Sequence, residues 1–247
     1  MSIASPPSSI DAREVAQFAA LARQWWDPKG PFAQLHRLNP RRLAFIRNTA
    51  ALHFERDANA LSSFEGLSLL DVGCGGGLLA EPLARQGFSV LGVDAAEESI
   101  AAALAHAADT QPRPAYRCTT AEALQAKGAV FDIVTAMEIV EHVADRGDFL
   151  RSCAALVKPG GLLFVATIAR TLKALALAKF GAEYVLGWVT PGTHDWRKFV
   201  SAGELSREIE DCGFDILSIQ GVSFDPLAWD WRLSSDTDVN YMLAARK

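Results

Sequence analysis

The sequence is poor in cysteine and has no surplus of positive charge. Its 247 residues include four cysteines, and none of them forms a CxxC pair or a zinc-finger spacing. That scarcity argues against a disulfide scaffold and favours a reducing compartment. Lysine and arginine number 24 against 29 acidic residues, which gives a formal net charge of -5. Proteins that bind duplex DNA are more often basic, so nucleic acid is not an expected partner.

Long apolar stretches and targeting segments are also missing. No run of 18 uncharged apolar residues occurs, and the apolar run 161–169 ends at Arg170, so no membrane-spanning helix is predicted. The first ten residues, MSIASPPSSI, lack the features of a secretory signal and the arginine of a mitochondrial transit peptide. The composition, 50% hydrophobic and 21% charged, is typical of packed globular proteins. We expect a cytoplasmic α/β enzyme or binding protein.

Strands and helices alternate along the middle of the chain. Residues 1–9 are rich in serine and proline and are expected to be disordered, whereas residues 10–60 have a helical pattern interrupted by prolines. Between 65 and 168, five apolar segments with strand character alternate with helical ones. This spacing predicts a doubly wound, mostly parallel sheet. The regularity lapses over 169–195, and one helix and two further strands are expected within 200–247.

A glycine-rich segment follows the first predicted strand and opens a helix. It begins at Asp71 and contains Gly73, Gly75 and two further glycines. Glycine permits positive φ angles and close approach of a ligand, and the helix N-terminus offers free N–H groups. Asp94 ends the next predicted strand, where a carboxylate is able to accept both hydroxyls of a ribose. Together these features predict a nucleotide site.

Two nucleotide classes fit this loop. Residues 75–80 match the GxGxxA pattern of dinucleotide-binding proteins, which favours NAD. S-adenosylmethionine (SAM) is favoured by Asp71, because a carboxylate suits the methionyl ammonium and lies unfavourably near a pyrophosphate. Glu122, placed to read an adenine amino group, and the GxGxG spacing also favour SAM. Met137, at the end of the fourth predicted strand, suits packing beneath an adenine ring or a sulfonium. A turn without any ligand is the remaining reading.

An acidic segment follows the fourth predicted strand. If a helical turn begins at Glu138, then Glu138, Glu141 and His142 share one face. Two carboxylates and an imidazole so placed form a candidate metal site, suited to Mg²⁺ or Mn²⁺, with Zn²⁺ or Fe²⁺ permitted by the histidine. These three residues alone favour an ordinary turn with a locally bonded His142.

The glycine loop, Asp94 and the order of elements resemble the class I SAM-dependent methyltransferases. That resemblance implies a Rossmann-like sheet of seven strands, the last antiparallel and inserted, with an N-terminal helical cap in this chain. Further segments point to one family within this class. From about Phe18 onward the chain is similar to the ubiquinone biosynthesis O-methyltransferases. The segments that carry this likeness are 39–43, 71–77, 137–143, 157–161, 181–186, 192–195 and 238–242.

This resemblance implies O-methylation of polyprenylated catechol-type intermediates in ubiquinone synthesis, including 3-demethylubiquinol. It implies SAM contacts at Arg42, Gly73, Asp94 and Met137, to which the loop pattern itself adds Asp71, Gly75 and Glu122. It also implies a divalent metal, with Mg²⁺ preferred, on Glu138, Glu141 and His142. One methyltransferase domain is then expected over 10–247, with a cap at 10–60 and a SAM-binding core at 65–168.

Partners and location are also implied by the resemblance. Peripheral contact with an anionic membrane, at its cytoplasmic face, and contact with other ubiquinone-biosynthesis proteins are expected. The chain departs from the family pattern near 227–235, where Trp229 and Trp231 replace a more polar loop. An NAD-dependent oxidoreductase, a methyltransferase for another small phenol and a SAM-binding protein without activity are the rival hypotheses.

The expected chemistry needs a group that handles a phenolic proton. A phenol with a pKa near 10 is a poor nucleophile at neutral pH. A metal on adjacent catechol oxygens lowers that pKa, which gives Glu138 and His142 a catalytic purpose. Without a metal, His142 or His194 is the candidate general base, and Asp195 is a neighbour placed to orient His194.

Residues 170–189 are apolar and contain three basic residues, Arg170, Lys173 and Lys179, against one acidic residue. A lid over the active site and an element that meets an anionic membrane both fit this pattern. If the second is right, the double variant Lys173→Glu/Lys179→Glu should co-sediment less with anionic liposomes. The same charge change at Lys29 and Lys127 is the control, and unchanged co-sedimentation of the first variant would refute membrane contact here.

Overall fold

One mixed sheet organises the part of the chain that the computed structural model describes, namely residues 9–171, 198–225 and 227–247. Within those residues eight strands pair in the order β3-β2-β1-β4-β5-β8-β6-β7. The first five are mutually parallel, β8 is antiparallel to β5 and β6, and β7 is antiparallel to β6. The strands are β1 Ser68–Val72, β2 Ser89–Asp94, β3 Ala115–Cys118, β4 Phe131–Met137, β5 Val157–Ile168, β6 Asp215–Asp225, β7 Asp230–Ser234 and β8 Asn240–Arg246.

Helices cover both faces of this sheet. They are α1 Ala12–Leu21, a 3₁₀ turn Ala22–Gln24, α2 Ala33–His53, α3 Ala80–Arg85, α4 Glu97–Ala107, α5 Ala121–Gln125, α6 Arg146–Leu156 and α7 Ala202–Glu210. Because side chains alternate along a strand, Val134 of β4 belongs to a cluster with α5, α6 and α7, while Ile133 belongs to one with α2 and α3. Coverage on both faces explains the continuous apolar runs that predicted these strands.

The predicted α/β architecture with a mostly parallel sheet is confirmed, and all seven predicted strands are present. The eighth, β7, falls where the sequence predicted a loop. It pairs with β6 and is fixed by contacts with α2 that are distant in sequence. The Trp231 indole donates to Gln34 Oε1 at 3.3 Å, and Arg41 Nε donates to the Trp231 carbonyl at 2.7 Å.

The N-terminal helices form the expected cap, which consists of α1, the 3₁₀ turn and α2. Trp25 stacks on Phe32 with ring centroids 3.7 Å apart. Lys198, which precedes α7, holds α1 in place through Asp11 Oδ2 at 2.9 Å and Glu14 Oε1 at 3.0 Å. The cap is therefore tied both to itself and to the C-terminal part of the chain.

Two predictions fall outside the described residues. The tail predicted to be disordered over 1–9 lies outside them except for Ser9, which is buried, and the lid or membrane-facing insertion predicted for 169–195 lies outside them over 172–195. Lys173, Lys179 and His194 belong to that second range. Among the helices of the described ranges, none has the length and apolar character needed to cross a bilayer.

Candidate functional site

A cavity of about 280 Å³ opens at the carboxyl ends of β1, β2 and β4. This is where ligands bind in open α/β sheets. The cap covers it, so α1 and α2 contribute Phe18, Leu35 and Arg42 to its wall. The lining is mostly apolar, with a few charged groups between the apolar ones, and we call it the central cavity.

The glycine loop forms one wall of the central cavity. Gly73, Gly75 and Gly77 have φ angles of 70°, 52° and 87°, in the left-handed region that favours glycine. Asp94 holds the loop, because its Oδ2 accepts from the Gly75 N–H at 3.0 Å while its Oδ1 accepts from the Ala96 N–H at 2.8 Å. Burial raises the pKa of the Asp94 carboxyl. The predicted ribose-binding carboxylate thus lies beside the loop, on the cavity wall.

Two adjacent tryptophans of the cap contact this loop. A Cβ atom added to Gly76 would lie 2.5 Å from the Cβ and Cγ atoms of Trp25, and one added to Gly75 would meet the Trp25 ring. The Trp26 indole donates to the Gly76 carbonyl at 2.9 Å. Both side chains reach the loop because they stand in a turn after the 3₁₀ segment, rather than in a helix. The glycines therefore serve cap packing as well as ligand approach.

Asp71 is the most buried acidic group of the cavity wall, with an exposed fraction of 2%. Its Oδ1 accepts from the Thr135 hydroxyl at 2.7 Å, whereas its Oδ2 is buried without a hydrogen-bond partner. Burial raises the pKa of this carboxyl to about 7, against the opposing effects of the Thr135 hydrogen bond and the Arg42 charge. A cationic donor in the cavity would satisfy Oδ2 and favour the ionised form.

Arg42 brings a buried positive charge from the cap to the same cavity. Its Nη2 atom lies 3.0 Å from Glu138 Oε1, an ion pair without hydrogen-bond alignment, and its Nε has no hydrogen-bond partner. The side chain is 7% exposed. Arg42 thus has donor capacity that the protein does not use, which suits an anionic ligand group.

The three predicted metal ligands, Glu138, Glu141 and His142, all line the central cavity. No helical turn begins at Glu138, whose φ is 55° and whose N–H donates to the Ala166 carbonyl at 2.9 Å. Each side chain has a different protein partner, because Glu141 accepts from Thr167 at 2.8 Å while His142 bonds to Glu14 on α1. Within 9–171, 198–225 and 227–247, no three His, Cys, Asp or Glu side chains are grouped to hold a metal ion.

His142 is instead held by the cap. Its Nδ1 lies 3.1 Å from Glu14 Oε2, and its ring meets the edge of Phe18 at 5.1 Å between centroids. Burial alone lowers the pKa of His142, but the Glu14 hydrogen bond and the neighbouring carboxylates outweigh it, so the pKa is raised. Sequence analysis missed Glu14 and Phe18, since a charged first helical turn is typical of any helix N-terminus.

Glu141 has a different environment from its neighbours. It is 4% exposed, and burial together with the nearby Glu138 carboxylate raises its pKa to about 7. Glu122 and Met137, predicted for the adenine end, both line the cavity. Glu122 Oε1 accepts from the Ser9 N–H at 3.3 Å and from the Ser9 hydroxyl. Burial alone raises the Glu122 pKa, and the Ser9 hydrogen bonds lower it below its ordinary value.

Comparison with known proteins decides the family. The sequence pattern of a family described as a methyltransferase domain matches residues 33–219. The chain is 56% identical to the ubiquinone biosynthesis O-methyltransferase of Caulobacter vibrioides, over 99% of this chain and 97% of that protein. This chain belongs to the ubiquinone biosynthesis O-methyltransferase family. The homologue in Parvibaculum lavamentivorans is 52% identical, over 97% of this chain and 95% of that protein.

Solved structures agree with that assignment at the level of the fold. Magnesium protoporphyrin IX methyltransferase from Synechocystis, solved with S-adenosylhomocysteine (SAH) bound, superposes with a TM-score of 0.65. It is 20% identical and covers 94% of each chain. The protein is thus a SAM-dependent O-methyltransferase, and the NAD-dependent oxidoreductase hypothesis was wrong.

The glycine loop of this O-methyltransferase should tolerate no side chain at Gly75. An alanine there suffers left-handed strain, about 1–2 kcal/mol, and also displaces Trp25. Gly128→Ala is the matched control, because Gly128 has a φ of 69° and open space where the Cβ would lie. We expect both variants to lose stability in urea unfolding, and only Gly75→Ala to lose SAH affinity in calorimetry. Equal SAH affinity of the two variants would contradict this account.

Asp71 should make stability fall as pH rises. The pKa of Asp71 is about 7 in the folded protein, against an ordinary value of 3.8. Between these two pH values the folded protein therefore keeps a proton on Asp71 that the unfolded chain has lost. Stability should therefore decrease from about pH 4 to pH 7, by at most about 4 kcal/mol, and change little from this group above pH 7. Asp71→Asn should flatten that slope, as measured by urea unfolding at several pH values. Asp132→Asn, at a carboxyl whose pKa is lowered, is the control that should keep the fall.

Proposed function

We propose that this methyltransferase acts on a phenolic oxygen of polyprenylated catechol-type intermediates of ubiquinone synthesis, including 3-demethylubiquinol. One observation carries the proposal beyond the names of the relatives: His142, held by Glu14, faces the same apolar cavity as the unpartnered Asp71 and Arg42 groups. A proposed base and a proposed binding site for a charged cofactor therefore share one mostly apolar cavity. The rival substrate class is another small phenol.

The residues of the cavity fit SAM. The free Oδ2 of Asp71 suits the methionyl ammonium, and the unused donor of Arg42 suits the methionyl carboxylate. Asp94, at the glycine loop, suits the ribose hydroxyls, and the apolar side chain of Met137 suits the adenine ring. Gly73 and Gly75 leave the backbone open to close approach. When bound, SAM supplies a methyl group on a positively charged sulfur, ready for in-line displacement.

His142 is our proposed general base. With Glu14 accepting from Nδ1–H, the ring nitrogen Nε2 remains to take the phenolic proton. The raised pKa of His142 makes its neutral form a stronger base, at the expense of the fraction that is neutral near pH 7. Glu138 pairs with Arg42 in the wall of the same cavity, and its catalytic role stays a prediction. His194 stays a prediction, since it lies outside the described residues.

Metal binding by Glu138, Glu141 and His142 also stays a prediction. Glu14 engages only Nδ1 of His142, so Nε2 stays available to an ion without that bond being broken. Because the three side chains are not grouped around one point in the arrangement seen here, the proposed proton transfer does not involve the ion. Chelation by EDTA during the activity assay tests whether the ion takes part.

We also propose peripheral contact with the membrane and with other ubiquinone-biosynthesis proteins. A polyprenylated substrate partitions into lipid, and the apolar segment 170–189 contains several cations. The liposome experiment on Lys173 and Lys179 tests the membrane part.

Transfer of labelled methyl from SAM to short-tailed 3-demethylubiquinol tests the function. We expect wild-type transfer, and a kcat about 10²- to 10⁴-fold lower for His142→Asn with SAH affinity kept, because the variant loses the base. His53→Asn is the matched control, since that ring bonds to the Gly160 carbonyl far from the cavity. No transfer by protein that binds SAH would sink the substrate assignment. Transfer abolished by EDTA and restored by Mg²⁺ would instead support the metal site.

A further inference from the structure

Two hydrogen-bond acceptors in the wall of the central cavity lack a donor. One is Oδ2 of Asp71, described above. The other is Oδ1 of Asn39, a residue of α2 that is 8% exposed and that lines the same cavity. A buried acceptor without a partner is unfavourable, and such atoms are rare in folded proteins unless a ligand or water completes them.

A hydrogen bond next to the glycine loop fixes the orientation of the Asn39 amide. Its Nδ2 donates to the carbonyl of Leu78 at 2.7 Å. Since a carbonyl oxygen only accepts hydrogen bonds, the amide nitrogen has to face Leu78, and the amide oxygen has to face away from it. Leu78 directly follows the loop, so this bond also joins the cap to the nucleotide site.

The surroundings of Asn39 select the chemistry of the missing donor. Asn39 and Arg42 are three residues apart on α2 and therefore share a helix face. The Arg42 charge acts on Asp71, and Asn39, Arg42 and Asp71 all line the central cavity. This set has two free acceptors, one of them anionic, and one cation with a free donor. An α-amino acid group, with its ammonium and its carboxylate, complements this set.

We propose that Asn39 accepts a hydrogen bond from the methionyl ammonium of SAM, next to Asp71. An ammonium has three N–H donors, enough to satisfy both Asn39 Oδ1 and Asp71 Oδ2. Asn39 is thus a binding residue that selects ligands with a free amino group. The inference rests on the proposed function, because it takes SAM as the ligand of this cavity.

Calorimetry with two ligands tests the proposal. SAH keeps the amino acid group, and 5′-methylthioadenosine has the nucleoside without it. We expect Asn39→Leu, which is nearly isosteric, to bind SAH about 10- to 100-fold more weakly, as for a lost hydrogen bond to a charged group. Binding of 5′-methylthioadenosine should stay within about twofold, since that ligand has no ammonium. Asn48→Leu, the same change at an exposed position of α2, should alter neither affinity.

Other outcomes separate the possibilities. An equal loss for both ligands would mean that Asn39 serves only to hold α2 against Leu78, and an unchanged SAH affinity would overturn the proposal. Asn39→Asp keeps the acceptor, so it should keep the preference for SAH even if Asn39→Leu does not fold. Loss of that preference in Asn39→Asp would also overturn the proposal. Wild-type protein that binds neither ligand would refute the proposed function itself.

Discussion

The site depends on one carboxylate that the fold keeps out of water. Asp71 ends a buried strand, and the protein satisfies only one of its two oxygens. An ionised carboxyl in such a place is unfavourable, which is why its pKa rises to about 7. A cationic ligand group removes that penalty.

The cap makes this arrangement possible, because it closes the cavity and supplies the compensating groups. Arg42 comes from α2, and Glu14 and Phe18 come from α1. The cap in turn depends on the glycine loop, where side chains would collide with Trp25. Cofactor site and cap are thus built on the same few backbone positions. A substitution that disturbs the glycine loop therefore also disturbs the packing of the cap, since the two share these contacts.

The sequence was sufficient for the sheet and for the glycine loop after β1. Strands such as β5 have continuous apolar runs because both faces of the sheet are covered. Several glycines between a strand and a helix predict a tight turn with positive φ angles. The end of β4 was harder, because the positive φ of Glu138 turns the chain away from the helical spacing that the metal hypothesis needed. β7 was missed because Gln34 and Arg41, distant in sequence, fix it.

The same limit applied to the proton-handling group. His142 could be named from its position after β4, but its partner Glu14 lies 128 residues earlier and has no local signal. Contacts of that range depend on how α1 packs over the sheet, which composition and periodicity do not specify. A sheet of this kind is shared with a protein only 20% identical, so the sheet alone does not set the chemistry. In the proposed function, the selective chemistry comes from the cap and from the segment after β4, because these bring Arg42 and His142 to the central cavity.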